Sequence, residues 1–330
     1  MGGPVAEPRR LPETAAVLVV RRAVRDWVAA YAPGEDVVVA LSGGADSLAL
    51  TAAAVVEVEA VDAVVIDHQL QVGSDVVAAA AAAAALALGC RSARVIPVEV
   101  GDEGGLEAAA RQARYAALDA ARGGLPVLLG HTLDDQAETV LLGLARGSGG
   151  RSIHGMAEWT QPWGRPLLGV RRSVTRQLCA DVDVSPHEDP HNASPEFTRV
   201  RLRTEVLPLL EEVLGGGVAG ALARTAEQLR EDGAVLDALA GELLHTASDG
   251  AALSIETLAT APAALRRRAI RAWLLAGGAK ALTGKHLHAV DELITNWRGQ
   301  GGIAVGGGRA GSRLVAARER GRLTLRLRSG

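Results

Sequence analysis

The segment Ser42-Gly43-Gly44-Ala45-Asp46-Ser47 gathers two glycines, two hydroxyls and a carboxylate. It follows a short apolar run, Asp36 to Leu41, and opens a helix-forming stretch, Ser47 to Glu59. Glycine there lets the backbone approach an anion closely, and the N–H groups and dipole of the helix start point at it. Ser42 and Ser47 add hydroxyls, and Asp46 is suited to hold a magnesium ion that bridges phosphate oxygens. The bland alternative is a tight turn with Asp46 as a helix cap. No lysine follows the glycines, so this is not a G-x-x-x-x-G-K loop, and the spacing also fails the G-x-G-x-x-G dinucleotide pattern.

A second concentration of charge is Asp134, Asp135 and Glu138. On a helix Asp135 and Glu138 are i,i+3 neighbours, and Asp134 and Glu138 are i,i+4. Such carboxylates repel unless a cation joins them; a lysine ammonium or magnesium would serve. An acidic first turn favoured by the helix dipole is the plainer reading. His68 and His131 end strands, as structural histidines or as ligand contacts. Arg111 and Arg114 share one helix, Arg199, Arg201 and Arg203 alternate, and Arg266, Arg267, Arg268 and Arg271 crowd another helix. Guanidiniums in such groups grip phosphates or form solvated faces.

The elements that must position these residues alternate. Apolar runs at Asp36–Leu41, Val61–Asp67, Arg94–Val98 and Pro126–Gly130 read as strands, the third weaker and, because of Pro97, either ending early or lying at an edge. Stretches at Ser47–Glu59, Val76–Leu88, Leu106–Ala121 and Leu133–Leu144 read as helices. This β-α-β-α rhythm predicts an α/β fold, a doubly wound parallel sheet that binds ligands at the carboxyl ends of its strands. The pattern weakens from Arg146 until Leu202–Leu214, and Val218–Leu244 then reads as a connecting helix. Helices at Ala263–Leu275 and Lys285–Thr295, and a hairpin of Leu314–Ala317 with Leu323–Leu327, predict a small α+β domain. The expected division is 1–214, a helical linker at 215–250, and 251–330.

At 330 residues, with 48% apolar and 22% charged residues, the chain reads as globular. Aromatics are only 2%, so Ala, Val and Leu must fill the core. Cys90 and Cys179 stand far apart, which signals neither a disulfide framework nor a zinc module. The beginning of the sequence lacks an apolar h-region, and the Val76–Leu88 stretch is too short and too alanine-rich to span a bilayer, so a cytoplasmic protein without a membrane partner is expected. Residues 1–140 carry 10 Arg against 19 acids, a net −9, whereas 141–330 carry 25 Lys or Arg against 19 acids, a net +6. The basic excess of the second part permits a nucleic-acid partner. Monomer and homodimer are both left open.

The S-G-G-x-D-S segment after a buried strand resembles the PP-loop of N-type ATP pyrophosphatases. Further blocks resemble the tRNA(Ile)-lysidine synthetase family within that superfamily. They are Gly130-His131-Thr132-Leu133-Asp134-Asp135-Gln136-Ala137-Glu138-Thr139, the Leu106–Tyr115 helix, Arg146-Gly147-Ser148-Gly149, Arg165-Pro166-Leu167-Leu168, Glu188-Asp189-Pro190-His191-Asn192, and Arg199-Val200-Arg201-Leu202-Arg203 followed by Leu207-Pro208. The likeness is dense from Asp36 to about Leu214 and looser beyond. Two departures are Gln69, where the family usually has glycine, and Val200, where it usually has asparagine.

The resemblance implies an enzyme that uses ATP and Mg2+ to join L-lysine to C2 of the wobble cytidine in a tRNA(Ile) with a CAU anticodon. It implies that Ser42, Gly43, Gly44, Ala45, Asp46 and Ser47 grip the departing pyrophosphate, with magnesium on Asp46. Asp67, His68 and His131 would lie near the nucleotide, and Asp135 and Glu138 would hold the lysine amine. The resemblance also places Arg111 and Arg114 near the target base and its phosphates. Because the attacking amine must be neutral, Asp135 or Glu138 is expected to accept its proton. From the residue types themselves, Arg201 and Arg203 are expected at the reacting phosphate, and Arg199, Arg266 and Arg267 on tRNA phosphates. The alternatives are a PP-loop tRNA thiolation enzyme, which usually needs paired cysteines that Cys90 and Cys179 do not supply, and a nucleotide-binding module without turnover.

Overall fold

The computed structural model describes residues 11–71, 73–101, 105–147, 149–188, 196–308 and 312–329. Asp189, Pro190, His191 and Asn192, and Ser148, all singled out above, lie outside the described residues. The chain divides into two compact units, residues 1–141 with 155–224, and residues 142–154 with 225–330.

The first unit opens with a helix that the sequence reading missed, α1 (Ala15–Tyr31), capped by the Thr14 hydroxyl. There follow β1 (Val37–Ala40), α2 (Ala45–Glu57), β2 (Val61–Asp67), α3 (Ser74–Leu88), β3 (Ser92–Pro97), α4 (Leu106–Ala121), β4 (Val127–Leu129) and α5 (Leu133–Arg146). The two-residue strands β5 (Trp159–Thr160) and β6 (Trp163–Gly164) come next, then α6 (Arg172–Asp181), α7 (Thr198–Arg201) and α8 (Leu207–Val213). A π-helical turn, Leu202–Val206, joins α7 to α8.

The sheet order is β3-β2-β1-β4-β6-β5, parallel except for β5. Of the two outcomes that Pro97 allowed, β3 takes the edge position. Side chains alternate through the sheet. Val37 and Val39 join a core with Val17, Val24 and Trp27 of α1, Leu50 of α2 and Leu178 of α6. Val38 and Ala40 face the other way, into a smaller core with Leu118 of α4. Small residues set the spacing. A methyl group on Gly164 would stand 2.3 Å from the Trp27 ring, so only glycine lets β6 pass that indole.

The strand ends shape the loops that matter. After β2, Gln69 adopts φ +53 while its N–H donates to Asp67 Oδ1 at 2.9 Å. That left-handed conformation suits glycine, which explains the family's preference at this departure. At the end of β1, Gly43 takes φ +81, and an added methyl there would meet Ala81 of α3 at 3.2 Å.

The second unit includes most of α9 (Val218–Ala247), then β7 (Ser248–Asp249), β8 (Ala252–Ser254), α10 (Ile255–Ala259), α11 (Ala263–Ala276), α12 (Gly284–Thr295), β9 (Ile303–Val305), β10 (Ser312–Glu319) and β11 (Arg322–Ser329). Its antiparallel sheet has the order β7-β8-β11-β10-β9. The hairpin is longer than expected, because Arg318 and Glu319 join β10 and only Arg320-Gly321 turn. Both turn residues have positive φ, +46 and +76, as twisted two-residue hairpins require. Ile270 and Leu274 of α11 and Val290 and Leu293 of α12 cover this sheet's Leu314, Ala316 and Leu323.

One expectation fails in this unit. Arg266, taken above as a tRNA contact, is only 7% exposed and donates to Asp291 of α12 from Nε and Nη2. Arg267 Nε also reaches Asp291, at 3.0 Å, and Arg268 pairs with Asp237. Arg266, Arg267 and Arg268 thus meet acids supplied by other helices, while the Arg267 side chain keeps a partly exposed surface. Among the described residues, no single helix is long and apolar enough to cross a membrane.

Candidate active site

At the carboxyl ends of β1 and β4 a cavity of about 1130 Å³ opens, lined among others by Ser42, Asp46, Arg114, His131, Asp135 and Arg203. The loop after β1 is tied to itself. Ser47 Oγ donates to Gly44 O at 3.0 Å and accepts from Ser42 N at 3.2 Å. Gly44 is the N-cap of α2 and offers no side-chain cap, so the first turn of the helix keeps its donors for a ligand. This is an anion seat made by backbone and helix dipole. Gly43 accepts from His187 N at 2.9 Å, which ties the segment after α6 to the same loop.

The acids at the start of α5 lie beside this loop, joined to it through one guanidinium. Asp135 accepts from both N and Oγ1 of Thr132 at 2.8 Å, which fixes its rotamer at the start of α5. Asp134 Oδ2 accepts from Arg172 N at 2.8 Å and so pins the start of α6. Glu138 is completely buried. Its oxygens lie 2.9 Å from Arg203 Nε, 3.5 Å from Arg172 Nη1 and 3.8 Å from Arg199 Nη1. It therefore serves as an anchor for guanidiniums from beneath the cavity rather than as an open contact for a diffusing amine.

Arg172 is the residue that sequence reasoning missed. Its guanidinium touches Asp46 Oδ2 at 3.1 Å, Asp135 Oδ1 at 2.6 Å and Glu138 Oε1 at 3.5 Å. One cation thus joins the pyrophosphate-type loop to the acids of α5. Thr175, one turn further along α6, donates to Asp46 Oδ1. The available signal was a basic pair, Arg171-Arg172, just after the Arg165–Leu168 block.

Protonation follows from these contacts. Burial is the larger influence on Asp46 and raises its carboxyl above the usual value, against the pull of Thr175 and Arg172. Burial also pushes Asp135 up, but Arg172 and the Thr132 bonds outweigh it and hold Asp135 below the ordinary range. Asp135 is thus a ready partner for a cation and a weak acceptor for a proton. Burial keeps His131 and His68 neutral, each below the usual histidine value, and Nδ1 of both has no hydrogen-bond partner.

The alternating arginines do not act together. Because the segment is helical and not extended, Arg199 and Arg203 share the face towards Glu138, whereas Arg201 turns outward and pairs with Glu205 at 2.9 Å. Arg201 is therefore removed from the expected catalytic set. Arg111 stacks over Tyr115, which in turn meets Trp163, so it presents a guanidinium on an aromatic support at the surface. Asp67 and His68 end β2 and do not line the cavity.

Among the described residues, no three His, Cys, Asp or Glu converge as a ready-made metal site. Magnesium delivered with a triphosphate needs only one or two protein carboxylates beside phosphate oxygens and water. Asp46, directly beside the α2 N-terminus, fits that limited role.

Residues 18–210 match the PP-loop domain family, and residues 253–324 match the TilS substrate binding domain. The tRNA(Ile)-lysidine synthase of Nocardia farcinica is 75% identical over 310 residues, covering 93% of this chain and 98% of the relative. That of Rhodococcus erythropolis is 68% identical over 315 residues, covering 96% and 97%. Among solved structures, the U34-tRNA thiolase NcsA from Methanococcus maripaludis, with its 4Fe-4S cluster, aligns with a TM-score of 0.51 at 16% identity. That alignment covers 66% of this chain and 80% of the thiolase, and it carries the fold alone. With relatives this similar along nearly its whole length, the chain belongs to the tRNA(Ile)-lysidine synthase family.

Proposed function

We propose that the chain ligates L-lysine to C2 of the wobble cytidine of a CAU-anticodon tRNA(Ile), releasing AMP and pyrophosphate. The observation that supports this most directly is the uncapped N-terminus of α2 opening on the same cavity as Asp46, Asp135, Arg172 and Arg203. It offers an anion seat and a carboxylate wall for a cation within one site.

In this reading the cytosine O2 attacks the α-phosphate of ATP, and pyrophosphate departs into the loop 42–47. The lysine amine then attacks C2, and AMP leaves. The backbone N–H groups after Gly44 hold the leaving pyrophosphate, and Arg203, oriented by Glu138, faces the negative charge that develops. Asp46 would hold magnesium, which when bound neutralises phosphate charge. Asp135 receives the lysine ammonium, while Glu138 acts from behind by fixing Arg203.

Lysine's ordinary pKa is about 10.4, so the amine must lose a proton before attack. Asp135, held ionised, binds the cation, and the proton leaves to a group other than this carboxylate. Arg111 and Arg114 are assigned to the base and its flanking phosphates, since unpaired loops expose both to a protein. We assign residues 1–214 to this chemistry, 215–250 to a helical linker and 251–330 to tRNA binding.

The test is product analysis. AMP and pyrophosphate should form only when lysine and CAU-anticodon tRNA(Ile) are both supplied. ADP and orthophosphate, or dependence on a sulfur donor in place of lysine, would overturn the assignment.

A further inference from the structure

The charges around the cavity floor are already matched. Asp46, Asp134, Asp135 and Glu138 are paired with Arg171, Arg172, Arg199 and Arg203. A lysine ammonium arriving at Asp135 therefore finds its place taken by the Arg172 guanidinium, 2.6 Å away. Binding a second cation there requires that Arg172 give up this carboxylate.

Arg172 is the one cation in the group that reaches both halves of the site, Asp46 beside the phosphate loop and Asp135 on the lysine wall. Arg203 and Arg199 meet the acids of α5 only, and Arg171 meets Asp134 and Glu211. Guanidinium pairs at least as well with phosphate as with carboxylate, in the same forked geometry. A triphosphate seated at the α2 N-terminus would lie on the Asp46 side of Arg172 and compete for it.

We propose that Arg172 couples the two substrates. In the free protein it blocks Asp135 against lysine, and the phosphates of ATP draw it away and open the lysine position. The inference rests on the reading of ATP and lysine as substrates and adds an order to their binding. It keeps the lysine nucleophile out of the site until there is a phosphate to activate the base. A coupling of this kind is reciprocal, so lysine must also tighten nucleotide binding by the same factor.

The experiment is equilibrium dialysis of radiolabelled L-lysine against the full-length chain, with and without Mg2+ and α,β-methylene-ATP, whose α–β bridge resists cleavage. Nucleotide binding is measured in parallel. In the wild type, the analogue should tighten lysine about tenfold or more. In Arg172→Met, lysine should bind without the analogue about as well as with it. Arg172→Lys, which keeps the charge but not the fork, should retain part of the coupling. A merely structural role would weaken both ligands and leave their ratio unchanged.

Equal lysine affinity with and without bound analogue in the wild type overturns the inference, as does full coupling in Arg172→Met. Should Arg172→Met fail to fold, the wild-type ratio and Arg172→Lys decide alone. If the wild type binds no analogue at all, the ATP reading itself fails, and the inference with it. If it binds the analogue but never lysine, only the coupling and the lysine position fall.

Discussion

Gly130, at the end of β4, lies so close to the Asp46–Ser47 peptide that a methyl group on it would stand 3.0 Å from both the Asp46 carbonyl carbon and the Ser47 nitrogen. The strand carrying His131 and the acids is thereby set directly against the phosphate loop. Gly130→Ala should push the two apart. Overpacking of this kind costs about 1–3 kcal/mol, so the KM for ATP should rise about tenfold, with a smaller fall in melting temperature. An unchanged KM with an intact fold would show that the loop does not depend on this contact.

Asp46 offers a test that separates stability from chemistry. Its carboxyl is pushed above the usual value, chiefly by burial. The penalty for keeping it ionised is present above the unfolded pKa, hence at neutral pH, and vanishes as the pH falls. Asp46→Asn removes that penalty. It should leave the melting temperature unchanged or raise it at pH 7, while AMP formation falls on the order of a hundredfold or more. A clearly destabilised Asp46→Asn would mean that the bonds from Arg172 and Thr175 outweigh desolvation.

How much of this site could be read beforehand depended on the reach of each interaction. The loop 42–47 and the acids of α5 were legible because their partners are local: a strand, a glycine turn and a helix start within one short stretch. Arg172 was not, because its link to Asp46 spans 126 residues and α6 is short and polar. Arg199, Arg201 and Arg203 were grouped by their alternate spacing alone, and the helix and π turn that carry them send Arg201 to a different side from Arg199 and Arg203. Arg266 was misread because its acid, Asp291, comes 25 residues later on another helix. The α/β rhythm survived because buried parallel strands announce themselves as apolar runs, whereas β5 and β6 are only two residues long; α1 did carry a helical period, with Val17, Val20, Val24 and Trp27 on one face, and was passed over.

Sulfur chemistry can be excluded by direct test. Both cysteines are buried, and burial raises Cys90 to about 12 and Cys179 to about 11, so neither is a thiolate near neutral pH. Cys90→Ala and Cys179→Ala should each keep the rate of lysidine formation within about twofold. Iodoacetamide at pH 8 should label neither thiol in the native protein, as read by mass spectrometry. Rapid labelling of Cys179, which lines the cavity, would reopen the thiolation alternative.

His131 should leave a mark on the pH dependence of stability. Burial keeps it neutral in the folded state, below the value of 6.5 that an exposed histidine has. As the pH drops through 6.5, the unfolded chain takes up a proton that the folded chain refuses, so stability declines towards acid. Replacing the residue, as in His131→Ala, should reduce the slope of unfolding free energy against pH by about one proton between pH 4.5 and 6.5. Urea titrations at several pH values measure it, and an unaltered slope would mean that the folded site admits the proton.

The pair of Arg266 and Asp291 tests the tRNA-binding role proposed for the second unit. Breaking a buried ion pair costs up to about 3–5 kcal/mol, and Arg266→Ala incurs part of it, since Asp291 keeps only the half-exposed Arg267 as partner. Arg266→Ala should therefore lower the melting temperature of the second unit, whereas the apolar double replacement Arg266→Met with Asp291→Leu should recover most of it. If Arg266 instead gripped phosphate, both variants would fold normally and both would weaken tRNA binding. The structure favours the first outcome, since the guanidinium also donates to Ala261 O at 2.7 Å and is fully engaged inside the unit. Full tRNA affinity in the double variant, measured by filter binding at fixed salt, would place the tRNA contacts on cations other than Arg266.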